Sequence, residues 1–454
     1  MPGNFTKNYF IQVLIGFLSI LAYVILLYFT PRSNFFETYG LFILLFAVYY
    51  YVVKKETVFS FGFCIALAVL LRLVAVFSLP ALSDDYFRFI WDGTMTLQHV
   101  NVFEYTPTSF IALHPTPQLQ YLFHNLIPES QEAYSVYPGI LQYAFAFAAW
   151  IFPKNIYGTV VVMKFIIFTA ECFTMYGLFL VAKSKKIPVR IILLYALNPF
   201  IIAELTGNVH FEALLICFLV YTFYFLEKEK IIPVALFWAL AINTKILPLI
   251  LAPLFLRYLG FWRFVKMGLL SAVIVLILFI PFINSEVVVN ISDSIEKFYN
   301  LFEFNASFYY LFSWISELFS NADYTQQIAT ALGIISTVGI LIISFRHFKK
   351  GALFEKAMWI FTLYFLGAAM VQPWYISTMV MFCVFSRFRF PLVFSLLIEL
   401  SYFPYMLKEY NENMYLILAE YLLLFLFIFY ERRQIRKGKV VICLPEQNVT
   451  SHST

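Results

Sequence analysis

The stretch Ser83-Asp84-Asp85-Tyr86-Phe87-Arg88-Phe89-Ile90-Trp91-Asp92-Gly93, continuing to Asn101-Val102-Phe103-Glu104-Tyr105-Thr106-Pro107, is polar, acidic and rich in aromatic residues. It follows directly on the apolar run 58–79, which has the roughly 20 residues that a membrane-spanning helix needs. Two adjacent carboxylates therefore stand where the chain leaves a bilayer. Carboxylates near a membrane cost free energy unless they have a partner or a task. Phe87, Ile90, Trp91 and Met95 recur at near-helical spacing, with Arg88 and Asp92 on other faces. That spacing predicts an amphipathic helix lying on the membrane surface.

Composition fixes the class. The 454-residue chain is 62% hydrophobic and 13% charged, whereas soluble domains are about 45–50% apolar and about 25% charged. Mean hydropathy is +0.81. The expected fold is an all-α polytopic integral membrane protein, with residues 1–430 as a single domain because no long polar stretch divides them. Candidate spans are 10–29, 37–53, 58–79, 156–182, 189–204, 210–226, 231–245, 246–257, 265–283, 326–345, 353–370, 374–387, 389–406 and 412–430. They predict about 13–14 transmembrane helices. Phe10–Phe29 is long enough to span and no small-residue cleavage site follows it, so it reads as a first helix and not a signal peptide.

Two shorter apolar stretches, 138–152 and 307–319, are expected to be interfacial or re-entrant, since runs of about 10–14 residues are too short to cross. With both left out of the span count, seven basic clusters share one side: Lys54-Lys55, Lys183/Lys185/Lys186/Arg190, Lys228/Lys230, Arg257/Arg263/Lys266, Arg346/Lys349/Lys350, Arg387/Arg389 and Arg432–Lys439. By the positive-inside rule that side is cytoplasmic. The loop 80–137 then lies outside, with Asn208-Val209-His210, the 285–306 loop and Gln372-Pro373-Trp374-Tyr375. The net charge of +5 comes from the basic loops and gives no sign of nucleic-acid binding. The tail 431–454 is polar and is expected to be disordered and cytoplasmic. The five cysteines, Cys64, Cys172, Cys217, Cys383 and Cys443, have neither disulfide-framework nor zinc spacing.

Several polar residues admit two readings. Asp84 is either an N-cap, with Asp85 favouring the helix dipole, or functional. Capping needs only one such residue and leaves Asp85, Arg88 and Asp92 unexplained. Arg88 either meets a phosphate or pairs with Asp84 or Asp92 one turn away. Lys245, between Asn243-Thr244 and Ile246-Leu247-Pro248 in an apolar run, either meets an anion or pairs with Glu204 or Glu212. His210, beside Asn208 and Glu212, is open to the same choice. Arg72, Lys164 and Glu171 lie within spans, and structural ion pairing is expected for them.

Asp-Asp-x-x-Arg-Phe-x-Trp-Asp-Gly followed by Asn-Val-Phe-Glu-Tyr-Thr-Pro resembles the first outer loop of the GT-C glycosyltransferases, in particular the branch that uses polyprenol-phosphate-mannose. Later pieces resemble that branch in order: Ser135-Val136-Tyr137-Pro138, Tyr195-Ala196-Leu197-Asn198-Pro199, Gly207-Asn208-Val209-His210-Phe211-Glu212-Ala213-Leu214, Thr244-Lys245-Ile246-Leu247-Pro248, Phe304-Asn305-Ala306-Ser307 and Gln372-Pro373-Trp374-Tyr375. Departures are His99 for a usual Gly, Val102-Phe103 where Asn-Pro-Tyr is common, Gly139 for a second Pro, and Phe211-Glu212 for Asn-Asp.

The resemblance implies an inverting transferase. It would move a hexose, mannose by resemblance, from a polyprenyl-phosphate sugar to a lipid-linked glycan or polysaccharide acceptor at the outer face of the plasma (inner) membrane. It implies Asp84 as the base. Asp85 would orient the acceptor or bind a divalent cation (Mg or Mn) if one is used, and no sequence feature demands a metal. It further implies that Arg88, Trp91, Asp92, Tyr137, Asn208, His210, Glu212, Lys245, Asn305, Trp374 and Tyr375 serve substrate binding. Trp374 is then either a platform for a sugar ring or a residue of the interfacial aromatic belt.

Chemistry agrees with the resemblance on independent grounds. A phosphate is already a good leaving group, so transfer from a lipid phosphate needs one base for the acceptor proton. It also needs donors for the charge that develops on the phosphate. The alternative is a transporter or flippase of a lipid-linked sugar. That alternative calls for polar groups along the whole path and an inverted repeat, whereas the polar residues here crowd at one face.

Overall fold

The structure is a computed structural model that describes residues 2–301, 303–319, 322–347 and 350–441. Positions 442–454 of the expected tail, Cys443 among them, lie outside the described residues. Regular structure among the described residues is helical, apart from an isolated bridge between Phe304 and Met370. The chain begins with α1 (Pro2–Val24), which continues into a π-helical turn to Phe29, then α2 (Phe35–Lys54) and α3 (Phe61–Val76). The long loop carries α4 (Asp85–Leu97), α5 (Pro107–Leu113), α6 (Pro117–His124) and α7 (Pro128–Gln131). Next come α8 (Gly139–Ile151), α9 (Ile156–Ser184), α10 (Leu193–Ala196), α11 (Pro199–Ile201), α12 (Glu212–Glu227) and α13 (Ile231–Thr244). The remainder is α14 (Ala252–Leu259), α15 (Phe261–Phe279), α16 (Val287–Leu301), α17 (Phe308–Phe319), α18 (Thr325–Phe345), α19 (Leu353–Gly367), α20 (Ser377–Cys383), α21 (Phe390–Leu397) and α22 (Met414–Arg436).

Every stretch expected to span is helical, but the helices differ in length. Six are long and apolar enough to cross a membrane: Lys7–Phe29, Phe35–Lys54, Ile156–Ser184, Phe261–Phe282, Thr325–Phe345 and Met414–Arg436. The pair Val189–Ala196 and Pro199–Gly207, bent by 56°, makes a seventh if counted as one span. The expected 13–14 therefore exceeds what helix length supports. Prolines are one reason: Pro199, Pro248, Pro373 and Pro391 each sit in the first turn of a new short helix, the place where a missing N–H costs least.

The ends of the bundle differ chemically. At one end the basic clusters are tied to each other. Arg190 donates to the carbonyls of Val52 and Phe59. Lys185 pairs with Glu227 at 2.5 Å, Arg263 with Glu229 at 3.0 Å, and Arg387 with Glu355 at 2.8 Å. Lys356 donates to the Arg346 carbonyl, and Glu431 accepts from the backbone N–H groups of Arg389 and Phe390. That last contact also corrects the expected tail. The chain does not become irregular at position 431, because α22 continues to Arg436 and its Glu431 caps the start of α21.

At the other end the polar loops meet. Asn101 donates to the Phe282 carbonyl and Asn290 to the Phe103 carbonyl, which ties the 80–137 loop to the 280–290 segment. The Phe304 N–H donates to the Ala369 carbonyl and the Phe304 carbonyl accepts from the Val371 N–H, which lays the 303–306 loop along 369–371.

Two expectations change in detail. The surface helix α4 is buried from Phe87 through Met95. Its polar face is covered because Arg88 donates to Asp92 at 2.8 Å and to the carbonyls of Ser130 and Ala133, while Ser135 donates to the other Asp92 oxygen at 2.6 Å. Its opposite side lies on α8 so closely that a Cβ on Gly93 would meet the Phe145 carbonyl oxygen at 2.4 Å. Within the spans, Arg72 pairs with Glu171 at 2.8 Å, and Tyr195 donates to the same carboxylate. Among the described residues Lys164 meets no acid; its ammonium donates to Ala75 and Ser78 instead. The Ala75 and Ser78 carbonyls and the Ser78 hydroxyl give each of the ammonium's three N–H groups an acceptor.

Candidate active site

Four chain breaks build the site. The first is the start of α4. Asp84 is its N-cap residue, yet its side chain makes no capping bond. Its carboxylate pairs with Arg32 at 2.5 Å, and both side chains are partly exposed. Capping is therefore not what Asp84 does. Asp85 lies one residue on, half-buried. Burial pushes its carboxyl above the ordinary value, the nearby Glu212 and Asp84 carboxylates push further, and His210 and Lys245 pull it back.

The second break holds Asn208 and His210. A π-helix over Ile202–Gly207 underwinds and widens the helix, and Val209 then takes φ +63°. A β-branched residue in the left-handed region is strained, and π-turns and such outliers gather at functional sites. Asn208 is buried, and its side-chain oxygen accepts from the backbone N–H groups of Ala81 and Leu82, so it holds the chain that leads into Asp84. His210 places Nδ1 at 2.8 Å from the Glu204 carbonyl and 3.3 Å from the Glu204 carboxylate. A bond to a carbonyl fixes the proton on Nδ1. The buried Nε2 has no partner among the described residues.

The third break is Lys245. Helix α13 ends at Thr244, and Lys245 is extended, with φ −157° and ψ +141°. Its ammonium pairs with Glu212, the first residue of α12, at 2.8 Å. Of the two readings of Lys245, the pair with Glu212 is the one seen. The fourth break is the Pro373–Ile376 turn. Trp374 stacks on the His210 ring at 3.7 Å and 17°, and the Lys245 ammonium sits 3.6 Å from the centre of the Tyr375 ring. These two aromatic faces are therefore turned to the two basic side chains. The geometry fits cation–π contact for Lys245.

Asp85, Glu212, His210, Lys245, Trp374 and Tyr375 thus come together, with Asp84 at the rim. Tyr137 packs edge-on against Phe89 at 5.1 Å and lies within electrostatic reach of Asp85. Arg88, Trp91 and Asp92 are not free for a substrate in this arrangement. The first and last are consumed by the α4 network, and Trp91 is packed among Phe110 and Phe123. Asn305 sits elsewhere, with φ +46°, bonded to Glu412, Glu420 and the Tyr421 hydroxyl. Arg32 was not legible as a site residue. The available signal is a cation in the short loop after the first span, on the side where the positive-inside rule places few.

Among the described residues no three His, Cys, Asp or Glu side chains are grouped to hold a metal ion. Asp84 and Asp85 already face Arg32 and the His210–Lys245 pair, so this arrangement does not fit a cation held by protein groups alone.

The depth of the site follows from helix lengths. Helices α12 and α13 have 16 and 14 residues, about 24 and 21 Å at 1.5 Å per residue. Both reach the basic end, through Glu227 and Lys230. A hydrocarbon core is about 30 Å thick, so the Glu212–Lys245 pair is recessed below the opposite membrane surface.

No curated protein matches the chain. Residues 30–259, just over half of the chain, match the family model described as "Alpha-(1->6)-mannopyranosyltransferase, N-terminal domain". That stretch includes Arg32, both acids of the 84–85 pair, His210, Glu212 and Lys245. With an all-helical membrane architecture and a recessed cluster of acids and cations beside it, the chain belongs to this family of GT-C-type membrane mannosyltransferases.

Proposed function

We propose that the protein moves a mannosyl unit from a polyprenyl-phosphate donor to a hydroxyl of a lipid-linked or polysaccharide acceptor, with inversion, at the non-cytoplasmic face of the plasma membrane. The observation that carries this reading is the pair of basic side chains in the recess. His210 has an unpartnered, buried Nε2 and Lys245 an ammonium held by one acid, and both lie next to the adjacent carboxylates. A lipid phosphate that slides in between helices reaches this depth with its chain still in the bilayer. Residues 1–430 act as one transferase domain in this reading.

The acceptor hydroxyl attacks the anomeric carbon and loses its proton to Asp84. Arg32 holds one oxygen of that carboxylate, which leaves the other turned to the acceptor. The bond from the anomeric carbon to the phosphate oxygen breaks, and the electron pair leaves with the polyprenyl phosphate. His210 and Lys245 meet the charge that grows there. Their stacking on Trp374 and Tyr375 fixes them before the reaction, so little reorganisation is needed. Asp85 lies between the two groups and orients the acceptor.

Purified protein in lipid bilayers, given a panel of polyprenyl-phosphate sugars and a mannan-type acceptor, should consume the mannosyl donor and form a new glycosidic bond. His210→Ala and Lys245→Ala should each raise the donor KM while leaving the acceptor KM near wild type. Movement of the lipid sugar across the membrane with no new glycosidic bond would establish the transporter instead.

A further inference from the structure

We propose that a ring of tyrosines around the Arg32–Asp84 pair is the binding subsite for a neutral glycan acceptor, with Arg32 as a positioning residue. This rests on the reaction proposed above and assigns the acceptor a place. The Arg32 guanidinium bonds Asp84 at 2.5 Å and lies over the Tyr405 ring, 4.7 Å from its centre. The Tyr405 hydroxyl is within electrostatic reach of both Asp84 and Asp85. Tyr86 is within reach of Asp84, Arg32 and Tyr121. Tyr410 continues the ring, its centroid 5.4 Å from that of Tyr405.

These four tyrosines come from four separate segments: α4, α6, the 3-10 helix over Ile398–Met406, and the loop that follows it. Tyr121 and Tyr410 are 54% and 52% exposed. A membrane belt also exposes tyrosines, but it does not gather them from four segments round one partly exposed ion pair. Tyrosine offers a flat apolar face with a polar tip, which suits a pyranose: the ring face takes the C–H side, and the hydroxyls meet the sugar's own. The charges of Arg32 and Asp84 offset each other, and the Glu412 carboxylate acts on both Tyr405 and Tyr410, so the subsite carries no bias toward an anion. The anion-binding groups, His210 and Lys245, lie beyond Asp85. The two acids therefore face different chemistry, Asp84 the glycan rim and Asp85 the phosphate side.

Bilayer-reconstituted wild type and the variants Tyr410→Ala, Tyr410→Phe, Tyr121→Ala, Arg32→Gln and Arg32→Lys test this. Binding of a short α-linked mannooligosaccharide is read by saturation-transfer NMR, which needs no turnover, and steady-state kinetics with a polyprenyl-phosphate mannose donor run beside it. Wild type should bind the oligosaccharide saturably. Tyr410→Ala and Tyr121→Ala should weaken binding and raise the acceptor KM about tenfold each, a loss of about 1.4 kcal/mol. Donor KM should stay within about twofold, and Tyr410→Phe should lose less than Tyr410→Ala because the ring face remains. Arg32→Gln should lower kcat about tenfold or more with the donor KM unchanged, and Arg32→Lys should restore part of it. No saturable binding to wild type, or Tyr→Ala variants that bind as wild type does, would overturn the subsite and leave the tyrosines as interfacial anchors. Binding without any product from the wild type would instead count against the proposed reaction.

Discussion

Two neighbouring acids with different partners need not do equal work. Asp84 is held by Arg32 at the rim, and Asp85 is turned toward His210, Glu212 and Lys245. General-base loss typically costs about 10²–10⁴-fold in rate. Asp84→Asn should therefore cut turnover by that amount in a folded protein that still binds donor, with Asp85→Asn less affected. The reverse ranking, measured under saturating donor, would exchange the two roles. Asp85 makes a separate statement about stability. Its carboxyl is raised in the folded protein by burial, so the folded state holds the proton more tightly than the unfolded chain. Above the ordinary carboxyl range the folded state bears the cost of a desolvated charge; below it, both states are protonated and the cost vanishes. Asp85→Asn should thus melt at a higher temperature than wild type near neutral pH. The difference should shrink as the pH falls toward 4, the ordinary carboxyl range. Equal melting temperatures at every pH would show that Asp85 carries no such penalty.

Among the elements, α4 shows what sequence periodicity reaches and what it does not. Its helical spacing over Phe87–Met95 is legible, and so is the choice offered to Arg88, which pairs with Asp92 four residues on. Its lid is not legible, because the groups that cover its polar face, Ser130, Ala133 and Ser135, come about forty positions later. The pattern therefore reads as a surface helix when the chain later folds back over it. The same limit hid Arg32, whose partner Asp84 lies beyond two intervening helices, and favoured Lys245, whose alternative partner Glu212 sits at a visible helix start. Removing one partner of a buried ion pair costs about 3–5 kcal/mol because the other charge is left unpaired. Arg88→Ala should cost that much, read as a lowered denaturation midpoint in detergent, with loss of donor and acceptor binding together. A variant that kept its stability but lost only acceptor affinity would return Arg88 to the substrate.

The whole molecule is polar along its long axis, and this governs where the reaction can happen. The seven basic clusters that the sequence sets on one side include groups tied to each other in space, through Arg190 to the 52–59 turn, Lys185 to Glu227, Arg263 to Glu229 and Arg387 to Glu355. Helices α1, α2 and α3 alternate between the ends. Gln12 of α1 donates to the Val58 carbonyl at the basic end, and the chain after α3 meets Asn208 at the other. The site thus lies at the end that lacks the basic clusters, and the proposed reaction takes that end as the non-cytoplasmic one, as the positive-inside rule would have it. A cysteine-free variant carrying either Glu129→Cys or Lys437→Cys measures this directly, since both positions are exposed. In intact cells an impermeant maleimide should label position 129 at once and position 437 only after the membrane is opened. Labelling in the opposite order would invert the protein and move the proposed acceptor to the cytoplasmic face. The cluster of acids and cations would keep its geometry, but its donor would have to present its phosphate from the inner leaflet.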